Sequence, residues 1–208
     1  MKTLIGCSIA SIAMATGVAQ ADLANGDFSD GGNGWNLYGG IQGPFDVGFF
    51  GGSDAVVAYG TFSGVPNYSG ASQDITGYAE GDTIEFGGQM YIEAGKELYG
   101  ANSAAIKITF WYGDGTAYGF DSVAGIVDSN SASDTVFSYD GSFLLDASAA
   151  SATRISFDFS YVQSDIPPKG TESGAAWGTN FYANVVPSPG ALALLGLAGF
   201  SGRRRRQG

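Results

Sequence analysis

The chain has 208 residues, 20 acidic against 9 basic, a formal net charge of −11, 1 cysteine and no histidine. The missing imidazole excludes Ser-His-Asp and Cys-His catalysis and His-ligated zinc in one step. The charge excludes binding to nucleic acid or an anionic lipid surface through a basic body, because both need cationic partners.

Met1-Lys2 supplies one positive charge, and an apolar, small-residue stretch follows from Leu4 to Val18. Ala19-Gln20-Ala21 then fits the small-x-small cleavage pattern of a secretory signal. Residues 1–21 therefore read as a signal peptide removed by signal peptidase, with Asp22 as the mature N-terminus. Cys7 leaves with it, so the mature chain has no disulfide, no thiolate nucleophile and no thiolate metal ligand. Residues 22–185 keep Lys96, Lys107, Arg154 and Lys169 against all twenty acids, a net charge of −16. That length suits one domain with a real core.

Within this body no apolar stripe recurs at helical spacing, whereas period-two alternation does. Ile84, Phe86, Met90 and Ile92 share one parity, and Ile106, Ile108, Phe110 and Tyr112 share another. Gly113-Asp114-Gly115 predicts a turn into a return strand over residues 116–120. The run 128–134 has the early spacing of a calcium loop, but Ala132 and a missing glycine break the pattern, so it reads as a solvated loop. Phe143 and Leu145 mark a shorter strand. Ile155, Phe157, Phe159 and Tyr161 alternate with Arg154, Ser156, Asp158 and Ser160. A long connection over residues 164–173 leads to a last strand near residues 177–186, with Trp177, Phe181, Ala183 and Val185 on one side. These strands, each with one apolar face, predict an all-β fold of two packed antiparallel sheets. Trp35 and Trp177 are expected in its core.

After the body come Val186, Pro187, Ser188 and Pro189, then an apolar run of about ten residues, shorter than the ~20 that cross a bilayer as a helix. Arg203, Arg204, Arg205 and Arg206 follow, a cluster that stays on the cytoplasmic side. This order of parts resembles the PEP-CTERM sorting signal, with Pro187-Ser188-Pro189 in place of Pro-Glu-Pro. The resemblance implies that residues 186–208 form a sorting tail with a short apolar helix and a transient stage in the inner membrane. It also implies processing by an exosortase-type enzyme and a final place at the cell envelope, cell surface or extracellular matrix.

A second resemblance joins the two ends of the body. Asn25-Gly26-Asp27-Phe28 before Gly34-Trp35, and the closing strand over residues 180–186, resemble galactose-binding-like jelly-roll carbohydrate-binding modules. That family implies a β-sandwich, a sugar ligand and often a structural calcium ion. Asp27, Asp30 and Asn184 are the oxygens available to such an ion, although the family's other acidic positions are here Ser29 and Ala183.

Sugar binding needs an exposed ring to stack on C–H faces, with polar groups beside it. By parity Trp111, beside Lys107 and Thr109, points away from the core, as do Tyr91, its expected neighbour, and Tyr182 with Asn180. The alternative is that a loop or sheet edge covers each. An enzyme would have to work with carboxylates alone, as in a glycoside hydrolase, and no motif singles out a pair. The expected role is therefore non-catalytic and associated with extracellular polysaccharide, with a sugar-stacking module as the alternative. Replacing Arg203, Arg204, Arg205 and Arg206 with neutral residues is expected to misdirect the protein. Fractionation of cells carrying the quadruple variant checks this, and parental processing and location would overturn the sorting reading.

Overall fold

The computed structural model describes residues 23–61, 66–166 and 174–190. The stretch read as a signal peptide, the apolar run from Ala191 and the arginine cluster lie outside the described residues. Ten strands form two five-stranded antiparallel sheets, in a β-sandwich. The first sheet runs β1 (Asn36–Tyr38), β4 (Asn67–Ile75), β9 (Arg154–Gln163), β6 (Ser103–Tyr112) and β7 (Ala117–Asp128). The second runs β2 (Gly40–Asp46), β3 (Asp54–Tyr59), β10 (Ala175–Val186), β5 (Thr83–Ile92) and β8 (Thr135–Leu144). One short helix, α1 (Ala147–Ala150), is capped by Asp146, whose carboxylate accepts from Ala149 N at 2.8 Å.

The expected alternations hold in space. Ile84, Phe86, Met90 and Ile92 from β5 meet Ile106, Ile108 and Phe110 from β6 and Ile155, Phe157, Phe159 and Tyr161 from β9 in one buried cluster. At its centre Phe181 packs on Phe28, Trp35, Phe157 and Phe159 with ring centroids 5.2–5.8 Å apart. Glycines make room for that ring, since a Cβ on Gly178 would stand 2.6 Å from Phe181 Cζ, and one on Gly88 2.5 Å from Cδ1. The opening loop is organised by Asn25, a left-handed residue with φ 57°. Its amide donates to Gly31 O and accepts from Asp30 N, while its carbonyl accepts from Trp35 Nε1 at 2.9 Å. Gly26 O in turn accepts from Phe181 N at 2.9 Å, which ties the first loop to the last strand.

Three expectations are corrected. Trp177 does not share a side with Phe181: β10 shifts register between Thr179 and Tyr182, with Asn180 at φ 50°, so parity inverts there. Ala176 is the inward residue, and Trp177 instead joins a second cluster with Phe49, Phe50, Ala55 and Tyr91 on the outside of its sheet. The return strand after Gly115 runs on to Asp128, and β8 has ten residues. Strands β2 and β3 carry no usable alternation. Residues 47–52 cover the outside of β3, so Ala55 to Ala58 are buried on both faces.

Phe181→Ala should cost about 3–5 kcal/mol, the range for deleting a fully packed large aromatic side chain. Chemical denaturation measures it, and a loss below ~1 kcal/mol would show that the ring does not join the sheets.

Candidate functional site

The outer face of the first sheet forms a cleft of about 650 Å³. Strand register builds it in rows across the sheet. At one end Tyr118 of β7, Trp111 of β6 and Arg154 of β9 stand side by side. Next come Asp121, Thr109 and Ser156, with Asp74 beyond them outside the cleft lining, then Lys107, Asp158, Ser72 and Asn36. Tyr38, opposite Gly70, and Tyr68 close the other end. From Arg154 to Val162, the partner of Tyr68, the floor runs about 26 Å at ~3.3 Å per residue. Two exposed tyrosines therefore bracket a polar floor, Tyr118 at 61% exposure and Tyr68 at 64%.

The floor is a hydrogen-bonded chain. Trp111 Nε1 donates to Ser156 Oγ at 2.9 Å, and Ser156 Oγ donates to Asp158 Oδ2 at 2.8 Å. Lys107 Nζ donates to Asp121 Oδ2 at 2.7 Å. Burial pushes the Asp158 carboxyl above its ordinary value of 3.8, an effect opposed by Ser156, Thr109 and the Lys107 ammonium. The Tyr38 hydroxyl is also pushed up, chiefly by burial and then by Asp158 and Asp121. Arg154 lies over Trp111, its Cζ 4.6 Å from the ring centroid. Thr109 Oγ1 faces the Asp158 carboxyl, while two buried polar atoms beside the cleft, Asp121 Oδ1 and Arg154 Nε, have no hydrogen-bond partner. Such groups are costly unless a ligand or water satisfies them.

Of the four sugar-facing residues read from parity, Trp111 alone lines this cleft. Tyr91, Asn180 and Tyr182 belong to the other sheet, so Tyr91 is not a neighbour of Trp111. Tyr91 does point outward, but Phe49 stacks on it at 4.0 Å and it is 8% exposed. Its hydroxyl donates to Asp134 Oδ1 at 2.7 Å and is pushed up to about 12 by that bond and by burial. Asn180 is spent on Ser53 and Gln89, and Tyr182 on Asp140. The cleft's Tyr118 and Tyr68 escaped the sequence reading. Tyr118 follows a bulge between Phe110 and Trp111, which parity alone does not show.

No group of three or more acidic side chains among the described residues is placed to hold a metal ion. Asp27 accepts from Ser29 N and Oγ, Asp30 from Asn33 Nδ2, and Asn184 pairs with Glu85 across β10 and β5. In the tail, Ser188 N donates to Asp82 Oδ1 at 2.9 Å, directly after Val186 and Pro187.

The fold is a two-sheet β-sandwich, an architecture also found in carbohydrate-binding modules. No protein-family model matches the sequence, and no curated protein matches it. Among solved structures it resembles the tandem CBM22-1-CBM22-2 domain of Paenibacillus barcinonensis Xyn10C (TM-score 0.56, 15% identity, 84% of this chain and 48% of that one). It also resembles the C-terminal family 22 carbohydrate-binding module of Clostridium thermocellum Xyn10B, whose cleft has a role in ligand binding (TM-score 0.52, 12% identity, 80% of this chain and 96% of that one). The enzymatically active domain of bacteriophage CBA120 tailspike protein 4 is similar over 78% of this chain, which spans 21% of it (TM-score 0.50, 16% identity).

Because the folded state raises the Asp158 pKa, its contribution is fullest below the unfolded value and is lost as pH rises toward the folded one. Asp158→Asn removes this titration and keeps an acceptor for Ser156. The melting temperature of the variant minus that of the parent should therefore rise between about pH 4 and pH 7. A difference that stays flat would show that the carboxylate is not strained by burial.

Proposed function

We propose that the body is a non-catalytic carbohydrate-binding module, exported and carried to the cell surface or extracellular matrix by its PEP-CTERM-like tail. The observation that carries the binding reading is the cleft itself: a registered polar floor bracketed by exposed tyrosines. Sugar hydroxyls both donate and accept, so they can pair with the polar side chains that line the cleft, Asn36, Ser72 and Tyr38 among them. Tyrosine rings cover C–H faces at little entropic cost. The likeness to family 22 modules supports the reading. Asp121 and Asp158 are the cleft's carboxylates. The first is tied to Lys107 and the second lies under Ser156, an arrangement for holding a chain rather than cleaving it.

Affinity gel electrophoresis against a panel of plant and bacterial polysaccharides tests the proposal. Tyr118→Ala should weaken retention about tenfold, equivalent to the ~1.4 kcal/mol that a stacking ring supplies, with little change in melting temperature. Retention equal to that of the parent would remove the cleft as the binding site.

A further inference from the structure

Resting on that reading, we propose that the cleft selects polysaccharides bearing uronic acids, with Arg154 as the carboxylate-binding group and Trp111 as the residue that positions it. The distribution of charge is the first argument. Lys96, Lys107 and Arg154 are the basic residues among the described residues, and two of the three line this cleft. Of the chain's 20 acids, the cleft takes Asp121 and Asp158. A body that carries a large acidic excess thus places its scarce cations at the binding face.

The second argument separates the two cations. Lys107 is spent: it is 21% exposed and its ammonium is closed on Asp121 at 2.7 Å. Among the described residues Arg154 has Asp74 as its acidic neighbour, at 3.9 Å between side chains that are 40% and 57% exposed, a contact worth little in water. Its Nε is nevertheless buried and without a hydrogen-bond partner. A guanidinium offers donors in a planar fork that matches the two oxygens of a carboxylate.

The third argument is orientation. The guanidinium carbon sits over the Trp111 ring, 4.6 Å from its centroid and within cation–π range, and the indole is itself fixed by Ser156. Trp111 is therefore a positioning residue, and the stacking surface beside it is Tyr118, whose ring meets the indole edge-on at 6.1 Å. A sugar on Tyr118 would present an equatorial carboxylate toward Arg154.

The test uses polygalacturonate and alginate, each in native and carboxyl-reduced form, with dextran sulfate as the other source of anionic charge. The mature protein, its Arg154→Gln, Arg154→Lys and Tyr118→Ala variants, and a melt of each are compared by calorimetry at 20 and 150 mM salt. The parent should bind at least one native uronate polymer ten or more times tighter than its reduced form, and tighter than dextran sulfate. Arg154→Gln should bring the native-to-reduced ratio close to one, and Arg154→Lys should restore part of it. Repulsion between the acidic body and a polyanion is screened by salt over about 8–10 Å. Affinity should therefore hold or rise with salt, opposite to unspecific ion exchange. Equal affinity for native and reduced polymers, an unchanged ratio in Arg154→Gln, or a preference for dextran sulfate overturns the uronate proposal and leaves the cleft reading standing. If nothing binds, or if Tyr118→Ala binds as the parent does, the cleft reading fails as well.

Discussion

Strand β9 has to serve two environments at once, and the period-two geometry of a strand is the only means it has. Ile155, Phe157, Phe159 and Tyr161 enter the core between the sheets, while Arg154, Ser156, Asp158 and Ser160 form the middle of the cleft floor. β9 also pairs along its length with both β4 and β6, so its register sets theirs. A one-residue slip would put phenylalanines in the cleft and a carboxylate in the core. Core and site are therefore coupled through one backbone, and neither can be repacked without the other.

This coupling explains why the floor tolerates polar groups that are poorly satisfied. Ser156, Asp158 and Ser160 are buried although they lie on the outer face of their sheet, because flanking side chains from β1, β4, β6 and β7 rise around them. The large aromatic core beneath supplies a stability margin against the cost of burying Asp158 and the unpartnered Asp121 Oδ1 and Arg154 Nε.

The two outer faces solve different problems. On the second sheet, residues 47–52 fold over β3 and β10, so that Phe49 and Phe50 close on Tyr91 while Trp177 meets Phe45 and Phe49 edge-on. Asp134 locks the same corner by accepting from both Tyr91 and Ala94. That corner buries Phe50, Ala55 and Tyr91, and its aromatic residues act as a secondary core. The first sheet has no such loop among the described residues, and its rings remain open to solvent.

Alternation in β5, β6 and β9 determined by itself that the chain is a two-sheet sandwich, because inward hydrophobes at period two can be buried only against another such face. The Asn25-Gly26 and Phe28…Trp35 pattern likewise reads directly, since one left-handed asparagine and one glycine are needed where the opening loop meets Phe181. Trp111 was legible as outward-facing for the same reason. What alternation does not carry is which sheet a strand joins or where a bulge inverts its parity. Tyr91 and Trp111 share an outward parity yet stand on opposite faces of the molecule, and the shift between Thr179 and Tyr182 moved Trp177 out of the core. Only the tertiary structure brought Tyr118, Trp111 and Arg154 into one row. They are neighbours through hydrogen bonding between strands that are distant in sequence, and no local periodicity records such pairing.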